Sequence, residues 1–384
     1  MVRVFRYRLY PTRAQEKTLS VQLKLGRELY NAALHERQDA YRKTGKSPSY
    51  SYQSADLKEI REIRPEFKLI FFHTLQAVLK RLDKAFAAFF KRCKERKTGE
   101  KPGYPRFKGR YRFRSLVFPD GCKLVAGDKR LYVPGIGKVK IKLHRPLEGT
   151  HGETRVKLDG DGHWYASLVC KDVPTKPLPT GTSVVGVDLG IESFAVTSDG
   201  QVIENPRPLQ IARLEMVRVQ RRVSKRKRGS NRRRKAAKIL ARKHFHVRNV
   251  RQDFQHKTAR RLVRKHQVVV VEDLNIRGLA GGMLAKQVND AAWGEFIEIL
   301  GAKAEEAGRE LIKVDPRGTS QECNACGTEV RKELSVRVHD CPRCGVVVHR
   351  DLNAARVIQA RGVRVRRAAF QRETATTREA PALA

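Results

Sequence analysis

Residues 184–190 read VVGVDLG, and the fold of the chain turns on that run. Apolar residues broken by one glycine lead to a single carboxylate, Asp188, followed by Leu189 and Gly190, as when a buried central strand delivers one acid to its exposed end. An aspartate before a Leu-Gly turn is also a common loop cap, so the run alone does not separate catalyst from cap. Two later stretches do. Residues 268–273, VVVVED, repeat the design with Glu272 after an all-valine run, and residues 349–358, HRDLNAARVI, open a helix with Asp351. Three acids, each at the edge of a buried element, are expected to share a metal site. Phosphodiester hydrolysis needs negative charge stabilised on the attacking and leaving oxygens. Two Mg2+ ions about 4 Å apart, gripped by hard carboxylates, supply that.

With 384 residues the chain has room for two or three domains, and 40% hydrophobic residues suffice for a core. Lys and Arg number 81 against 40 Asp and Glu, a formal net charge of +41 that calls for a polyanionic partner, nucleic acid first. No apolar run of membrane length, signal peptide or lipidation motif is seen, so a soluble cytoplasmic protein is expected, with no membrane partner.

Of the seven cysteines, Cys93, Cys122 and Cys170 are scattered. Cys323, Cys326, Cys341 and Cys344 form two C-x2-C pairs, each followed by a glycine able to take positive φ, the spacing of a zinc ribbon. A pair of redox dithiols is the rival reading, and no thioredoxin-like pattern surrounds the pairs to support it. His339 and His349 lie nearby, but four thiolates already complete a tetrahedral site.

In chain order, residues 2–10 alternate as a strand with Phe5, Tyr7 and Leu9 on one face. Thr12 and Gln15 form a capping box for a helix reaching Arg42, residues 45–52 read as a polar loop, and a second helix spans 72–92. Over residues 101–118 aromatics alternate with cations. Either Tyr104, Phe107, Tyr111 and Phe113 stack bases while Arg106, Lys108, Arg110 and Arg112 hold phosphates, or the run is a basic edge strand with aromatics packed inward. Strands follow around Val139 and Ile141, then a hairpin turning at residues 159–162, so the first 170 residues make a strand, a helical insertion and an antiparallel barrel or sheet. PTKPLPTGT, residues 174–182, marks a boundary. Between Ile211 and Gln267 stand 22 Lys and Arg against two acids, too dense for helices without an anionic partner, and Arg232, Arg233 and Arg234 sit in the middle. Residues 291–307 read as a helix and 311–314 as a last strand. The tail after Arg366 is expected to be disordered.

Three hairpin strands, then helix, strand, helix, strand and a last helix, with acids on the first strand, the fourth strand and the last helix, is the order of the RNase H-like nucleases. The motifs RLYPTRAQ, KPGYPRFKGR, GVDLGIESFAVTSDG, VVVEDL, DAAWGEF, GTSQECNACG, CPRCG and RDLNAARVI, spread over residues 8–358, give a closer resemblance. The chain resembles the TnpB family, RNA-guided endonucleases of IS200/IS605-type transposons related to the Cas12 effectors. That resemblance implies an α/β nuclease (RuvC) domain over residues 181–316 and 345–365 with a zinc-ribbon insert at 317–344. It implies a wedge β-barrel from residues 1–10 and 108–178, with a helical recognition lobe at 11–107 inserted in it. Asp188, Glu272 and Asp351 match the family's acids, which bind two Mg2+, and the four cysteines match its ligands for one structural Zn2+. Guide RNA from the transposon end and target double-stranded DNA are the implied partners, of a monomer in a prokaryotic cytoplasm, on the nucleoid when DNA-bound. Gln76 and Lys80 would face the duplex beside the target. His349 stands where the family often has an acid. A nuclease-inactive RNA-guided repressor and a DNA transposase are the competing functions, and all three acids being present argues against the first.

Overall fold

Apolar alternation organises the first of two units, Met1–Pro174, in a computed structural model that describes residues 1–95, 101–109, 111–125, 127, 129–333 and 336–378. Strand β1 (Arg3–Tyr10) buries Phe5, Tyr7 and Leu9 as its period-two pattern requires. Helix α1 (Arg13–Thr44) opens with the reciprocal Thr12–Gln15 capping box and stops at Gly45, whose φ of 72° suits glycine. The expected loop over 45–52 is shorter than its polar composition implies, because the Ser49 hydroxyl accepts from the Tyr52 amide at 3.2 Å and starts α2 (Tyr50–Ala55) early. Next come α3 (Leu57–Ile63), a 3-10 turn over Pro65–Leu69, and α4 (Phe72–Lys94), whose Leu75, Leu79, Leu82 and Phe86 are buried.

The remaining strands of this unit are β2 (Ser115–Phe118), β3 (Lys123–Leu124), β4 (Arg130–Val133), β5 (Gly137–Lys142), β6 (Thr150–Leu158) and β7 (Trp164–Lys171). They form one seven-stranded sheet in the order β2-β6-β7-β1-β5-β4-β3, every pairing antiparallel. Residues 101–109 and 111–114 are irregular, so only the end of the basic-aromatic run is a strand. Asn31 holds that run off the ladder: its side chain donates to the Lys108 carbonyl at 3.1 Å and accepts from the Lys108 amide at 2.8 Å.

The second unit, Thr175–Ala384, is built on β8 (Val184–Leu189), β9 (Ser193–Thr197) and β10 (Val202–Glu204). A hairpin of long helices follows, α5 (Pro208–Ser224) and α6 (Asn231–Lys265), and then β11 (Val268–Glu272). After β11 run α7 (Ile276–Leu279), α8 (Ala285–Ala291), α9 (Trp293–Glu306), β12 (Glu310–Val314), β13 (Val338–Asp340), β14 (Val347–His349) and α10 (Arg350–Arg378). The five-stranded sheet has the order β10-β9-β8-β11-β12, antiparallel across β10, β9 and β8 and parallel across β8, β11 and β12. Val268 to Val271 are all fully buried, since helices cover both faces, and that is why β11 reads as an unbroken valine run. On one face Phe194 meets Phe254 of α6 and Phe296 of α9 edge-on, with centroids 4.8 and 5.0 Å apart.

Helix α10 covers the other face at backbone contact. A Cβ at Gly186 would stand 2.0 Å from the Ala355 carbonyl oxygen, and one at Gly362 would stand 2.3 Å from a Val270 methyl. These two glycines let the helix lie directly on β8 and β11. The helix runs through Arg378, past the expected start of disorder at 366, because Ala, Arg, Gln and Glu there are good helix formers. Residues 379–384 lie outside the described residues.

Candidate active site

The parallel register of β8 and β11 pairs Val187 with Val271, so Asp188 and Glu272 come next on neighbouring strands whose backbones run about 4.8 Å apart. Both point to the α10 face, because Gly186 and Val270, two residues before each, touch that helix. Asp351 lies one helical turn before Ala355, the residue seated on Gly186. Since Gln359 meets Val184, the helix runs antiparallel to β8, and one turn back from Ala355 carries Asp351 towards the strand end that bears Asp188.

Their electrostatics agree. Burial, then the charges of Glu272 and Asp351, push the Asp188 carboxyl up to about 8 against the opposing pull of Arg350. Glu272 is buried and also raised, by desolvation, while the Thr319 hydroxyl and Arg361 pull the other way. Thr319 donates to Glu272 Oε1 at 2.6 Å. The backbone amide of Asp351 donates to His349 Nδ1 at 3.3 Å, so this histidine caps the entrance of α10. Asp188 thus feels the charge of both other acids, and Asp188, Glu272 and Asp351 are the residues that could hold a divalent cation here.

The four cysteines also converge, with all their sulfurs within 4.8 Å of one another and 3.6 Å separating Cys323 from Cys344 and Cys326 from Cys341. Tetrahedral zinc–thiolate geometry calls for sulfurs about 3.8 Å apart. Each C-x2-C turns on its glycine: the Gly327 amide donates to the Cys323 carbonyl and Gly345 to that of Cys341, both at 2.9 Å, with φ near 70°. The Thr328 hydroxyl beside Cys326 pulls that thiol down to about 6. Cys344 receives a backbone hydrogen bond from Val346 that favours its thiolate, yet desolvation and the neighbouring sulfurs push it up to about 12. His339 is fully buried against Lys332 and is not part of the cluster.

The sequence-selected nucleic-acid residues are spread over several elements. Lys80 is exposed on α4, and Gln76 donates to the Ser54 hydroxyl at 3.2 Å. Tyr104, Phe107 and Tyr111 are exposed, Tyr104 with its ring also edge-on to Phe86 and Phe89, whereas Phe113 is buried beneath Arg81. The run is therefore not the alternative, a basic edge strand, since only residues from Ser115 on join the sheet, and of Tyr104, Phe107, Tyr111 and Phe113 only the last packs fully inward. Arg232 is exposed, but Arg233 donates to the carbonyls of Val223 and Arg226 and Arg234 to that of Gly229, so these two brace the α5–α6 turn. Arg110 lies outside the described residues. Sequence reasoning missed Thr319 and Asn353, although both lie inside motifs it quoted. A threonine placed before two cysteines carries no signal of its own.

A "Putative RNA-guided DNA endonuclease" of Streptomyces pristinaespiralis is 38% identical over 373 residues, covering 94% of this chain and 89% of that protein. The chain belongs to the TnpB family. A second TnpB relative, "Putative RNA-guided DNA endonuclease InsQ" of Escherichia coli K12, is 28% identical over 386 residues and covers 94% of this chain and 92% of its own. "CRISPR-associated endodeoxyribonuclease Cas12f1" of Syntrophomonas palmitatica is 27% identical over 210 residues, 51% of this chain and 42% of that one. Family models match at residues 167–282 (OrfB_IS605, "Probable transposase"), 293–358 ("Cas12f1-like, TNB domain") and 1–46 (HTH_OrfB_IS605, "Helix-turn-helix domain"). Residues 1–46 hold β1 and the single helix α1, so the last description does not describe their geometry. Among the described residues no helix is long and apolar enough to cross a membrane.

Proposed function

We propose that this TnpB-family chain is an RNA-guided DNA endonuclease whose second unit is an RNase H-like (RuvC) nuclease. What supports the reading is that Asp188 and Glu272 end neighbouring parallel strands of a sheet ordered β10-β9-β8-β11-β12, and that Asp188 feels the charges of both Glu272 and Asp351 of α10. Bound there, Mg2+ ions supply charge neutralisation and an activated water for phosphodiester hydrolysis. Asp188 and Asp351 hold the attacking side of the scissile phosphate's site. Glu272, with one oxygen engaged by Thr319, serves the leaving side. The four cysteines hold a structural zinc that closes the insert. In the first unit the sheet acts as the wedge and the helices as the recognition lobe. Gln76 and Lys80 on α4 face the target-adjacent duplex, while Tyr104, Phe107 and Arg110 contact single-stranded nucleic acid. The cationic hairpin of α5 and α6 follows the phosphate backbone of the guide, with Arg232 on its exposed side and Arg233 and Arg234 shaping its turn.

The test is Asp188→Ala, assayed for Mg2+-dependent cleavage of a DNA matching the variable end of the copurifying RNA. The variant is expected to bind RNA and target as the wild type does and not to cut. Cleavage at the wild-type rate would refute the assignment.

A further inference from the structure

Between the four-cysteine module and the acids lies residues 315–324, a segment fastened at both ends to α10. Asn353, two residues after Asp351 and fully buried, accepts at Oδ1 from the Asn324 amide at 3.0 Å and from the Asn324 side chain at 2.8 Å. Its Nδ2 donates to the Glu322 carbonyl at 2.7 Å. Further along the helix, Arg361 donates to the carbonyls of Asp315 and Arg317 at 2.9 and 2.7 Å and to the Glu322 carboxylate at 2.6 Å. Hydrogen bonds satisfied on both sides of Asn353, which is buried, tie the segment rigidly to α10.

Thr319 sits in the middle of that segment, buried, with the Pro316 carbonyl at 3.0 Å and Glu272 Oε1 at 2.6 Å from its hydroxyl. A hydroxyl has one proton to donate, and the shorter, charge-assisted contact is the one to the carboxylate. That bond fixes a terminal torsion which is otherwise broad in glutamate, and with it the direction of the second carboxylate oxygen. Cys323, a metal-ligand candidate, lies between Glu322 and Asn324, both of which are clasped by Asn353. A change in the cysteine cluster therefore reaches Glu272 through Thr319 and Asp351 through Asn353.

We propose that Thr319 is a positioning residue for Glu272, and that segment 315–324 couples zinc occupancy of the cysteine module to divalent-metal affinity at the three acids. The inference rests on the acid-site reading above. Coupling of this kind is reciprocal: whatever factor zinc adds to the affinity of the acids, a cation on the acids adds to the affinity for zinc.

The experiment titrates Mn2+ into nucleic-acid-free full-length protein, following free Mn2+ by electron paramagnetic resonance, with zinc content and binding of the copurifying RNA measured alongside. Removing a group that orients a metal-binding carboxylate weakens metal affinity about 10- to 100-fold, and this is the loss expected for Thr319→Val with zinc and RNA binding intact. Thr319→Ser keeps the hydroxyl and should restore wild-type affinity. Cys344→Ser, at the exposed ligand, should lose zinc and weaken Mn2+ binding similarly, and adding Thr319→Val to it should weaken binding little further. Wild-type Mn2+ affinity in Thr319→Val overturns the positioning role, and fully additive losses in the double variant overturn the coupling. If Cys344→Ser fails to fold, zinc content of wild type and Thr319→Val with and without saturating Mn2+ gives the reciprocal measurement, and equal zinc retention in all four overturns the coupling. Asp188→Ala keeps the two readings apart. Undiminished Mn2+ binding there defeats the acid site itself, whereas loss there with no effect of Thr319→Val defeats only this inference.

Discussion

Asp188 and Asp199 flank the same strand, β9, and sit at opposite ends of the same sheet in opposite electrostatic conditions. At the carboxyl ends of β8 and β11, Asp188 is pushed up to about 8 by burial and by two other acids. Towards the amino ends, three residues along by the β8–β9 register and so roughly 10 Å away, Asp199 is drawn down to about 2: burial works against it, but Lys265, Thr197 and His266 outweigh it. Its partners are built in, since Lys265 Nζ stands 2.5 Å from Asp199 Oδ2 and the Thr197 hydroxyl donates to Oδ1. An acid that stabilises the fold is given a partner by the chain. On the proposed function, the acids at the other end are held for a ligand, and the fold carries their repulsion until it arrives.

The largest effect expected from this contrast is at Asp188. Asp188→Asn preserves shape and removes charge, so cleavage should fall by roughly 10^3-fold or more, in the range seen when a group acting in concert with others is lost. Stability of the metal-free protein should rise, by roughly 1–2 kcal/mol, as is common when a strained functional site is relaxed. Denaturant unfolding and a cleavage assay on the same preparation check both. A destabilised Asp188→Asn would break the comparison.

Next is the packing that brings the acids together. Gly186→Ala places a methyl 2.0 Å from the Ala355 carbonyl oxygen, a backbone atom that cannot swing aside, so α10 must lift from β8 and carry Asp351 with it. A loss of about 2–4 kcal/mol is expected by analogy with overpacked cores, along with most of the cleavage activity. Full activity in Gly186→Ala would mean that the acids do not depend on this contact.

These glycines also mark how far the site could be read from sequence. The valine run of β8 and β11 announces central strands because burial on both faces leaves no polar alternation, and the acids at the strand ends follow from that. The cysteine pairs are legible for the same local reason, their spacing and glycines being chemistry written within a few residues. The approach of α10 is not local. It depends on Gly186 and Gly362, ordinary in sequence, standing beneath one helix. Thr319 and Asn353 are silent because their partners, Glu272 and Glu322, are 47 and 31 residues away. The helical start at Tyr50 was hidden by a single serine cap in a polar stretch, and the basic-aromatic run by an asparagine clamp 77 residues distant.

The two ends of the sheet should also respond to pH with opposite slopes. A raised carboxyl means that the folded chain holds a proton the unfolded chain has already released. Metal-free stability should therefore fall as pH rises from about 4, the unfolded aspartate value, towards about 8. Mg2+ should flatten that decline by compensating the charge, and Asp188→Asn should lack most of it. At Asp199 the sign reverses: its contribution is complete above about pH 4 and is lost as pH falls towards about 2. Unfolding free energies measured at pH 5 and pH 8, with and without Mg2+, test the first slope, and acid unfolding tests the second.

The smallest effect expected is that of Asp199→Asn, and it discriminates because it is small. The Lys265 side chain is more than half exposed, so solvent screens the pair, and partly exposed ion pairs contribute about 0.5–1 kcal/mol. The asparagine oxygen can still accept from Thr197, which limits the loss further. Stability at pH 7 should drop by that amount, the acid-side transition should move, and cleavage should stay unchanged, because the proposed function places the scissile phosphate at the other end. A fall in cleavage comparable to that of Asp188→Asn would mean that the two ends of the sheet are coupled through β9, and that division of labour between them is wrong.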